Sequence, residues 1–334
     1  MRLIGLFAAF LLLLAPAARA SNVGFEELQI TNGAGAPLTV GVWYPTEGSV
    51  SPQPFHLMTQ TVAPGAPPAG ERLPLIVFSH GTGGWYGGHV DTALALAHAG
   101  FVVAAATHTG DNYKDHSQAG LIWQRSAHIH RLIDYMLAEW PARARLDASR
   151  IGMFGFSAGG FTTLVVTGGV PDLARVPPHC QAHPDYFDCG VVKRFGSDAL
   201  LALVAKLPPS VFVHDPRVRA AVVAAPALGF SFGREGLKGV TVPIQLWRAE
   251  NDHILPAPEY ADAARADLPT PPEFHLVPNA DHFDFLAPCT PDLARAIPDP
   301  EICASRPGFD RAAFHERFDA SVVGFFQRTL AASP

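Results

Sequence analysis

The sequence predicts an α/β fold: a mostly parallel sheet with helices on both faces. From residue 75 onward, short apolar segments alternate with longer segments of helical periodicity. Strands that alternate with helices form parallel sheets. Strands that are apolar throughout, as these are, fit a sheet that is buried on both sides. No internal repeat and no Gly/Ser-rich linker divides the chain. We therefore expect a single domain over residues 21–334, with an insertion at about residues 168–215.

The elements of the amino-terminal half are bounded by recognisable signals. Residues 38–44 alternate with period two, as in a half-buried strand. Residues 45–72 are rich in Pro, Gly and Ser and are predicted to form a loop. Gly100 is placed to end a helix. In chain order, the predicted elements are strand 38–44, strand 75–78, helix 88–99, strand 101–106, loop 108–117 and helix 121–140.

The carboxy-terminal half continues the alternation and contains the insertion. Short apolar segments predict buried strands, and the last segment has an amphipathic helical pattern. Because ligands of such sheets bind at the carboxyl ends of the strands, we expect functional residues there. The predicted elements are strand 150–154, helix 158–167, the irregular insertion 168–215 with a helical segment at 198–207, strands 218–225, 244–249 and 274–278, and helix 310–331.

Residues 1–20 have the pattern of a secretory signal peptide. Arg2 precedes an apolar segment, and Ala18-Arg19-Ala20 forms a small-x-small cleavage signature. The apolar segment is about twelve residues long, short of the ~20 that span a bilayer. A membrane anchor is the alternative interpretation. We expect cleavage after about Ala20, a mature protein in the periplasm or the medium, and no stable membrane insertion.

Composition excludes two broad classes of protein. Hydrophobic residues make up 48% of the 334 residues, which excludes a disordered chain. Lys and Arg number 24 against 30 Asp and Glu, with no basic run, so nucleic acid is not an expected partner. The expected partner is a small-molecule substrate, and the sequence does not indicate an oligomeric state.

The four cysteines are predicted to form disulfides. An even number in an exported chain is typical of disulfide bonding, and four cysteines permit three pairings. The close spacing within the chain favours Cys180–Cys189 and Cys289–Cys303, each closing a local loop. A zinc site is the weaker interpretation because no C-x-x-C motif occurs.

The segment Gly155-Phe156-Ser157-Ala158-Gly159 matches the pattern G-x-S-x-G. In this pattern a sharp turn from strand to helix holds the serine in a strained backbone conformation and exposes its hydroxyl. The turn also directs the helix N-terminus, with its free N–H groups, at the serine. A predicted strand precedes this segment and a predicted helix follows it. We therefore predict that Ser157 is a nucleophile, with a purely structural turn as the alternative.

A nucleophilic serine needs a base, and the base needs a carboxylate that orients it. Fifteen histidines are present, and His282 lies in the loop after the last predicted strand. Asp252 directly follows strand 244–249, so the chain order is Ser, Asp, His. We predict a triad of Ser157, His282 and Asp252. The rival carboxylates are Glu250, Asp281 and Asp284.

Acyl transfer also requires preorganised donors for the oxyanion. The residue after the nucleophile supplies one, the main-chain N–H of Ala158. The second is predicted to be the N–H of Thr82, with Gly83 as the alternative. His80 is expected to hold this loop by hydrogen bonding. Three aromatic residues close to these motifs are candidates for substrate binding, namely Trp85, Tyr86 and Phe156.

Other polar clusters do not predict a metal or cofactor. His108, Asp111 and His116 lie together after a strand, where we expect a solvated loop and treat a metal site as the alternative. No phosphate-binding loop or dinucleotide fingerprint is present.

The chain resembles the α/β-hydrolase superfamily across residues 30–330. The narrower resemblance is to exported bacterial proteins related to dienelactone hydrolases and to platelet-activating-factor acetylhydrolases. It implies a Ser–His–Asp esterase for short acyl esters or lactone-like compounds, without cofactor or metal. Dienelactone hydrolases carry Cys where Ser157 stands, so the lactones of aromatic degradation are not expected substrates. The resemblance is carried by Phe78–Gly84, Gly155–Gly160, Asn251–Pro256 and Asp281–Phe283, and the narrower one also by the segment 286–310.

Several other functions fit the same motifs. A lipase or phospholipid acetylhydrolase, a thioester hydrolase, a polyester hydrolase and a peptidase would use the same triad. A peptidase is disfavoured because related peptidases carry a large extra domain. A non-catalytic binding protein of the same fold is the alternative from another class, and a covalent fluorophosphonate probe separates it from an enzyme.

Overall fold

A computed structural model describes residues 22–33, 35–195 and 206–332. Within these ranges, ten strands form one mixed sheet in the order β10-β9-β8-β7-β5-β6-β2-β1-β4-β3. The strands are β1 Asn22–Asn32, β2 Gly35–Thr46, β3 Ser51–Phe55, β4 Met58–Pro64, β5 Leu73–Ser79, β6 Val102–Thr107, β7 Leu146–Phe156, β8 Val218–Ala224, β9 Ile244–Ala249 and β10 Glu273–Val277.

The helices lie between and after the parallel strands, as the alternation in sequence predicts. Among the described residues they are α1 Val90–His98, α2 Gln124–Ala138, α3 Ala158–Val166, α4 Val176–Ala182, α5 Phe187–Phe195, α6 Gly233–Leu237, α7 Ala261–Asp267, α8 Pro291–Ala296 and α9 Arg311–Thr329. None of them is both long enough and apolar enough to span a bilayer.

The six strands from β10 to β6 are parallel, and all of them except the edge strand β10 are largely buried on both faces. Successive residues of β5 point to opposite faces. Leu75 and Val77 pack into the core that contains α2 and α3. Ile76 and Phe78 pack into the core that contains α1 and α9. Helices therefore cover both faces of a mostly parallel sheet, which confirms the predicted fold class.

The amino-terminal region departs from the prediction. The predicted strand 38–44 is the centre of β2, which pairs antiparallel with β1 and with β6. The prediction of a loop at 45–72 is wrong, because β3 and β4 pair antiparallel within it. Pro52 and Pro54 lie in β3, at the edge of the sheet. Prolines are tolerated on edge strands because no ladder hydrogen bond is lost there, so composition alone gives the wrong prediction.

The insertion after α3 contains short helices and one of two disulfides. Cys180 in α4 is bonded to Cys189 in α5, and Cys289 is bonded to Cys303. Both predicted pairings are confirmed. Most of the predicted helical segment 198–207 lies outside the described residues. Residues 1–21 lie outside them as well, so the signal peptide stays a prediction, as does the single domain over 21–334.

Candidate active site

Ser157 lies at the turn between β7 and α3, at the carboxyl edge of the parallel strands. Its backbone has φ 56° and ψ −117°, a conformation that L-residues rarely adopt and that surrounding structure must hold. The Ser157 N–H donates to the oxygen of Ala224 at 2.9 Å, and the N–H of Ala227 donates to the Ser157 oxygen at 2.9 Å. Hydrogen bonds to the end of β8 thus hold the turn in place.

Three glycines make this turn sterically possible. A Cβ at Gly155 would lie 2.1 Å from the oxygen of Gly159, and one at Gly159 would lie 1.8 Å from the oxygen of Ser79. A Cβ at Gly160 would lie 2.8 Å from the Cα of Pro226. Main-chain atoms occupy all three places, so no side-chain movement relieves these contacts.

The structure brings Ser157, His282 and Asp252 together from three separate loops. The Nε2 of His282 lies 3.1 Å from the Oγ of Ser157, and its Nδ1 lies 2.8 Å from the Oδ2 of Asp252. An ionised carboxylate only accepts hydrogen bonds, so the Nδ1–H donates to Asp252 and Nε2 is left to accept the serine proton. All three residues are buried, with exposures of 7%, 1% and 6% in the order given.

The second oxygen of Asp252 fixes the orientation of the carboxylate. Its Oδ1 accepts hydrogen bonds from the N–H groups of Ile254 at 3.1 Å and Leu255 at 2.7 Å. The rival Glu250 instead accepts from the N–H of Asn279 at 2.8 Å. Asp252 is therefore the carboxylate that the structure brings to the imidazole.

The two acidic neighbours of His282 hold its backbone. The Oδ1 of Asp281 accepts from the His282 N–H at 2.8 Å and from the Nδ1 of His253 at 2.6 Å. The Oδ2 of Asp284 accepts from the Asp281 N–H at 2.8 Å, and its Oδ1 accepts from the Nε of Arg311 at 3.0 Å. Together they cap the short 3-10 turn 282–285. These two aspartates, although next to His282 in sequence, therefore support its main chain.

The loop after β5 is held by a histidine and a buried arginine. The Nε2 of His80 accepts from the N–H of His108 at 3.0 Å, so its other nitrogen, Nδ1, carries the proton and donates to the oxygen of Gly81 at 2.6 Å. Arg125, in the first turn of α2, donates to the oxygens of His80 at 2.6 Å and of Gly81 at 3.1 Å.

The same loop contributes Thr82 to the cleft that contains Ser157. The N–H of Gly83 donates to the Oδ1 of Asp111 at 2.9 Å, which engages the alternative oxyanion donor. The N–H of Thr82 makes no hydrogen bond within the described residues. Thr82, Ser157 and Ala158 line the same cleft. The geometry is therefore compatible with oxyanion donors at Thr82 and Ala158.

Comparison with solved structures identifies the fold. A ferulic acid esterase from Streptomyces cinnamoneus aligns with a TM-score of 0.63 at 20% identity, over 96% of this chain and 93% of the esterase. The chain has the α/β-hydrolase fold. A dienelactone hydrolase from Anabaena variabilis aligns with a TM-score of 0.50 at 14% identity, over 92% of this chain and 99% of that hydrolase.

A family model matches part of the sequence. Residues 58–128 match the family described as platelet-activating factor acetylhydrolase, isoform II. In the α/β-hydrolase fold of this chain, that segment runs from β4 to the middle of α2 and includes the loop of Thr82 and Arg125. No curated protein sequence matches the chain.

Arg125 is a residue of the candidate site that the sequence did not reveal. Its Nε lies 3.0 Å from the Oδ2 of Asp111, and the two side chains are 2% and 4% exposed. Burial, together with the nearby Arg125 charge, holds the pKa of His80 and of His108 well below the usual range and lowers the pKa of His128 to about 4. The cluster therefore carries one arginine, one carboxylate and neutral imidazoles at pH 7.

The loop that contains Asp111 differs from the sequence prediction. The sequence predicts a solvated loop for His108, Asp111 and His116, but among these three residues only His116 is exposed. His108 is buried, with its Nε2 at 2.8 Å from the Oγ of Ser79 and its Nδ1 at 3.2 Å from the Nδ1 of His128. The side chains of His108 and Asp111 face inward, where the carboxylate of Asp111 pairs with the guanidinium of Arg125, whereas residues 113–117 are exposed.

The predicted aromatic residues lie outside the lining of the cleft. Tyr86 is buried, and its ring and that of Trp85 pack on Phe55. Phe156 packs on the ring of His282, with centroids 4.8 Å apart. The lining comes instead from the insertion and from the segment before α2. Within the described residues the cleft encloses about 820 Å³, including space continuous with solvent, and is lined by Thr82, Ala119, Gly120, Ile122, Trp123, Ser157, Ala158, Leu173, Val176, Phe187, Asp188, Val191, Val192, Ala227, Leu228 and Leu255.

Two clusters among the described residues have the composition of a metal site: His179, Asp188 and Cys189, and Asp91, His315 and Asp319. The sulfur of Cys189 is bonded to Cys180, so it is not a ligand. In the other cluster the Nδ1 of His315 lies 2.6 Å from a carboxylate oxygen of Asp91, an ion pair that accounts for both groups.

Proposed function

We propose that this protein is a serine hydrolase that cleaves carboxylic esters through an acyl-enzyme. The observation that carries the proposal is the continuous relay from Ser157 through His282 to Asp252, at the wall of an apolar cleft. The similarity of the fold to an esterase and to a dienelactone hydrolase, and the match to the acetylhydrolase family, support the same class.

In the first half of the reaction, the Oγ of Ser157 attacks the ester carbonyl carbon while its proton passes to the Nε2 of His282. The electron pair of the carbonyl π bond moves to oxygen, where the N–H groups of Thr82 and Ala158 stabilise the charge. The intermediate collapses with cleavage of the bond to the alkoxy oxygen. That oxygen takes the proton from Nε2 and leaves as an alcohol, so the acyl group remains on Ser157.

In the second half, water replaces the alcohol. Its proton passes to the Nε2 of His282 while its oxygen attacks the acyl carbon. The second intermediate expels the Oγ of Ser157, which regains the proton, and the carboxylic acid leaves. Asp252 stays ionised throughout and stabilises the imidazolium that forms twice.

We further propose that the substrates are short acyl esters and that the protein acts outside the cytoplasm. The lining of the cleft is almost entirely apolar, which suits the hydrocarbon part of an ester. The two disulfides are typical of proteins in an oxidising compartment. No cofactor or metal takes part in the proposed steps.

The test is hydrolysis of p-nitrophenyl esters from acetate to palmitate by the purified mature protein and by Ser157→Ala. We expect a rate that peaks at short chains and is lost in the variant, with Ser117→Ala, an exposed serine, retaining the wild-type rate. A fluorophosphonate probe is expected to label the wild type and Ser117→Ala only. Retention of hydrolysis by Ser157→Ala on every ester, or absence of both turnover and label in the wild type, would contradict the proposal.

A further inference from the structure

One carboxylate interrupts the apolar wall of the cleft. Asp188, in the first turn of α5, lines the same cleft as Ser157 and is 8% exposed. Among the described residues of the lining it is the only one with an ionisable side chain. Its neighbour Phe187 is 43% exposed, so the wall is open to solvent beside it.

The two oxygens of Asp188 have different surroundings. Oδ1 accepts a hydrogen bond from the hydroxyl of Tyr260 at 2.8 Å and another from the N–H of Cys189 at 3.0 Å. The Nε2 of His179 lies 3.1 Å from the Tyr260 oxygen, which is free to accept from it because its own proton goes to Asp188. These donors favour the ionised carboxylate and act against burial, which raises the pKa of Asp188 above its usual value.

The other oxygen, Oδ2, is buried and has no hydrogen-bond donor among the described residues. The nearest cationic candidate is the Nε2 of His179, at 3.7 Å, beyond hydrogen-bonding distance. A buried carboxylate oxygen without a donor is costly, and each such group in a native structure calls for an explanation. One explanation is that a bound molecule supplies the missing donor to Oδ2.

The surroundings favour one class of donor. The described group with the composition of a metal site keeps His179 and Asp188 but loses Cys189, because the sulfur of Cys189 is in a disulfide. A cationic group would lose its hydration in an apolar cleft that offers it a single carboxylate, at a far higher cost than a neutral hydroxyl. A hydroxyl needs only one acceptor, and Oδ2 supplies one.

We propose that Asp188 accepts a hydrogen bond from a hydroxyl group of the substrate, so that the cleft selects esters that carry a hydroxyl remote from the ester carbonyl. The inference rests on the proposed ester hydrolysis at Ser157, since both residues line one cleft. Asp188 is then a specificity-determining residue. The disulfide between Cys180 and Cys189 ties α4 to α5 next to it.

The test uses two pairs of esters that differ only by the hydroxyl. Methyl 6-hydroxyhexanoate and methyl hexanoate place it on the acyl side, and 6-hydroxyhexyl acetate and hexyl acetate place it on the alcohol side. The flexible chains let the hydroxyl reach the wall over a range of distances. The readout is the ratio of kcat/KM within a pair, measured on one preparation, so the fraction of folded protein cancels.

We expect the wild type to prefer the hydroxylated ester by about tenfold or more in one of the two pairs. In Asp188→Leu the ratio falls to one or below, and in Asp188→Asn it lies between the two because one acceptor without charge remains. Asp185→Asn, at an exposed aspartate just before α5, keeps the wild-type ratio. The pair that responds identifies the side of the ester that carries the hydroxyl.

Two results would overturn the inference: a wild-type ratio of one or below in both pairs, or an unchanged ratio in Asp188→Leu. Neither result contradicts the proposed function, because a ratio of kcat/KM can be measured only if the protein hydrolyses the esters. Hydrolysis of p-nitrophenyl esters together with turnover of none of the four esters would likewise overturn the inference and leave the proposed function standing.

Discussion

Arg125 and Asp111 form a buried ion pair, 3.0 Å between Nε and Oδ2, behind the loop that contains Thr82. Each partner also holds that loop. Arg125 donates to the main-chain oxygens of His80 and Gly81, and Asp111 accepts from the N–H of Gly83. The main chain is thus fixed on both sides of Thr82, whose own N–H makes no hydrogen bond within the described part of the chain.

We predict that Arg125→Met lowers kcat strongly and KM little. Loss of a single oxyanion donor lowers kcat by about 10²–10³-fold. We expect a decrease close to this value when the loop no longer holds the N–H of Thr82 in place. The variant also leaves Asp111 buried without its partner, which costs about 3–5 kcal/mol of unfolding free energy. Steady-state kinetics with a short p-nitrophenyl ester and urea unfolding measure both effects.

Two further variants separate positioning from stability. Arg131→Met removes a more exposed arginine of the same helix and is expected to keep the wild-type kcat. The double variant Arg125→Met/Asp111→Leu removes both buried charges, and we expect it to regain part of the stability but not the activity. If the double variant regained kcat as well, the pair would act through stability alone.

Asp252→Asn is expected to lower kcat by about 10⁴ with little change in stability. The asparagine keeps the shape of the side chain but favours the wrong tautomer of His282 and cannot stabilise the imidazolium. The expected result is slow turnover and slow labelling by a fluorophosphonate. The matched control is Glu250→Gln, two residues away, where the carboxylate only accepts from the N–H of Asn279. An equal loss of kcat in both variants would contradict the assignment of Asp252.

Local patterns in the sequence are sufficient to predict the centre of the sheet and the proximity of Ser157, His282 and Asp252. The turn around Ser157 is dictated by three glycines and by apolar segments on either side, all within a short stretch of chain. Asp252 and His282 each follow a strand directly, and parallel strands end at one edge of the sheet. Sequence order therefore predicts proximity in these cases.

Features that depend on packing between distant segments could not be read in the same way. The ion pair between Asp111 and Arg125 joins a polar loop to a helix, and nothing in the local composition indicates that Asp111 faces inward. Trp85 and Tyr86 follow the Thr82 loop in sequence, but their rings pack on Phe55 from β3. The prolines of β3 led to the prediction of a loop there.

The contact between His253 and Asp281 is predicted to stabilise the protein most in mildly acidic solution. Burial lowers the pKa of His253, but its hydrogen bonds with Asp281 and Glu301 outweigh burial and raise it above the usual value. Burial raises the pKa of Asp281, but hydrogen bonds from His253 and from the N–H of His282 outweigh it and lower the pKa. The histidine's contribution is complete below about pH 6.5 and is lost as the pH rises through its raised pKa.

The contribution of the Asp281 carboxylate to stability depends on pH in the opposite direction. It is complete above about pH 4 and is lost as the pH falls through the lowered pKa of Asp281. We therefore expect the coupling in a double-mutant cycle of His253→Gln and Asp281→Asn to be larger at pH 5.5 than at pH 8.5. The side chain of His253 is 48% exposed, so the coupling is of the order of 1 kcal/mol or less. Equal couplings at the two pH values in urea unfolding would contradict the prediction.

Gly159→Ala is predicted to destroy the turn at Ser157. The new Cβ would lie 1.8 Å from the main-chain oxygen of Ser79, at the end of β5, so α3 or β5 has to move. Either movement displaces the Oγ of Ser157 from the Nε2 of His282, and a misplacement of about 1 Å can cost 10²-fold in rate. We expect loss of esterase activity together with a lower melting temperature, measured on the purified variant.

The control for this substitution is Gly190→Ala in α5, where a Cβ has no atom within 4 Å. Alanine is the better helix former by up to about 1 kcal/mol, so Gly190→Ala is expected to keep the activity and to melt no lower than the wild type. Full activity of Gly159→Ala would mean that the close approach between α3 and the end of β5 is not needed to hold Ser157 in its strained conformation.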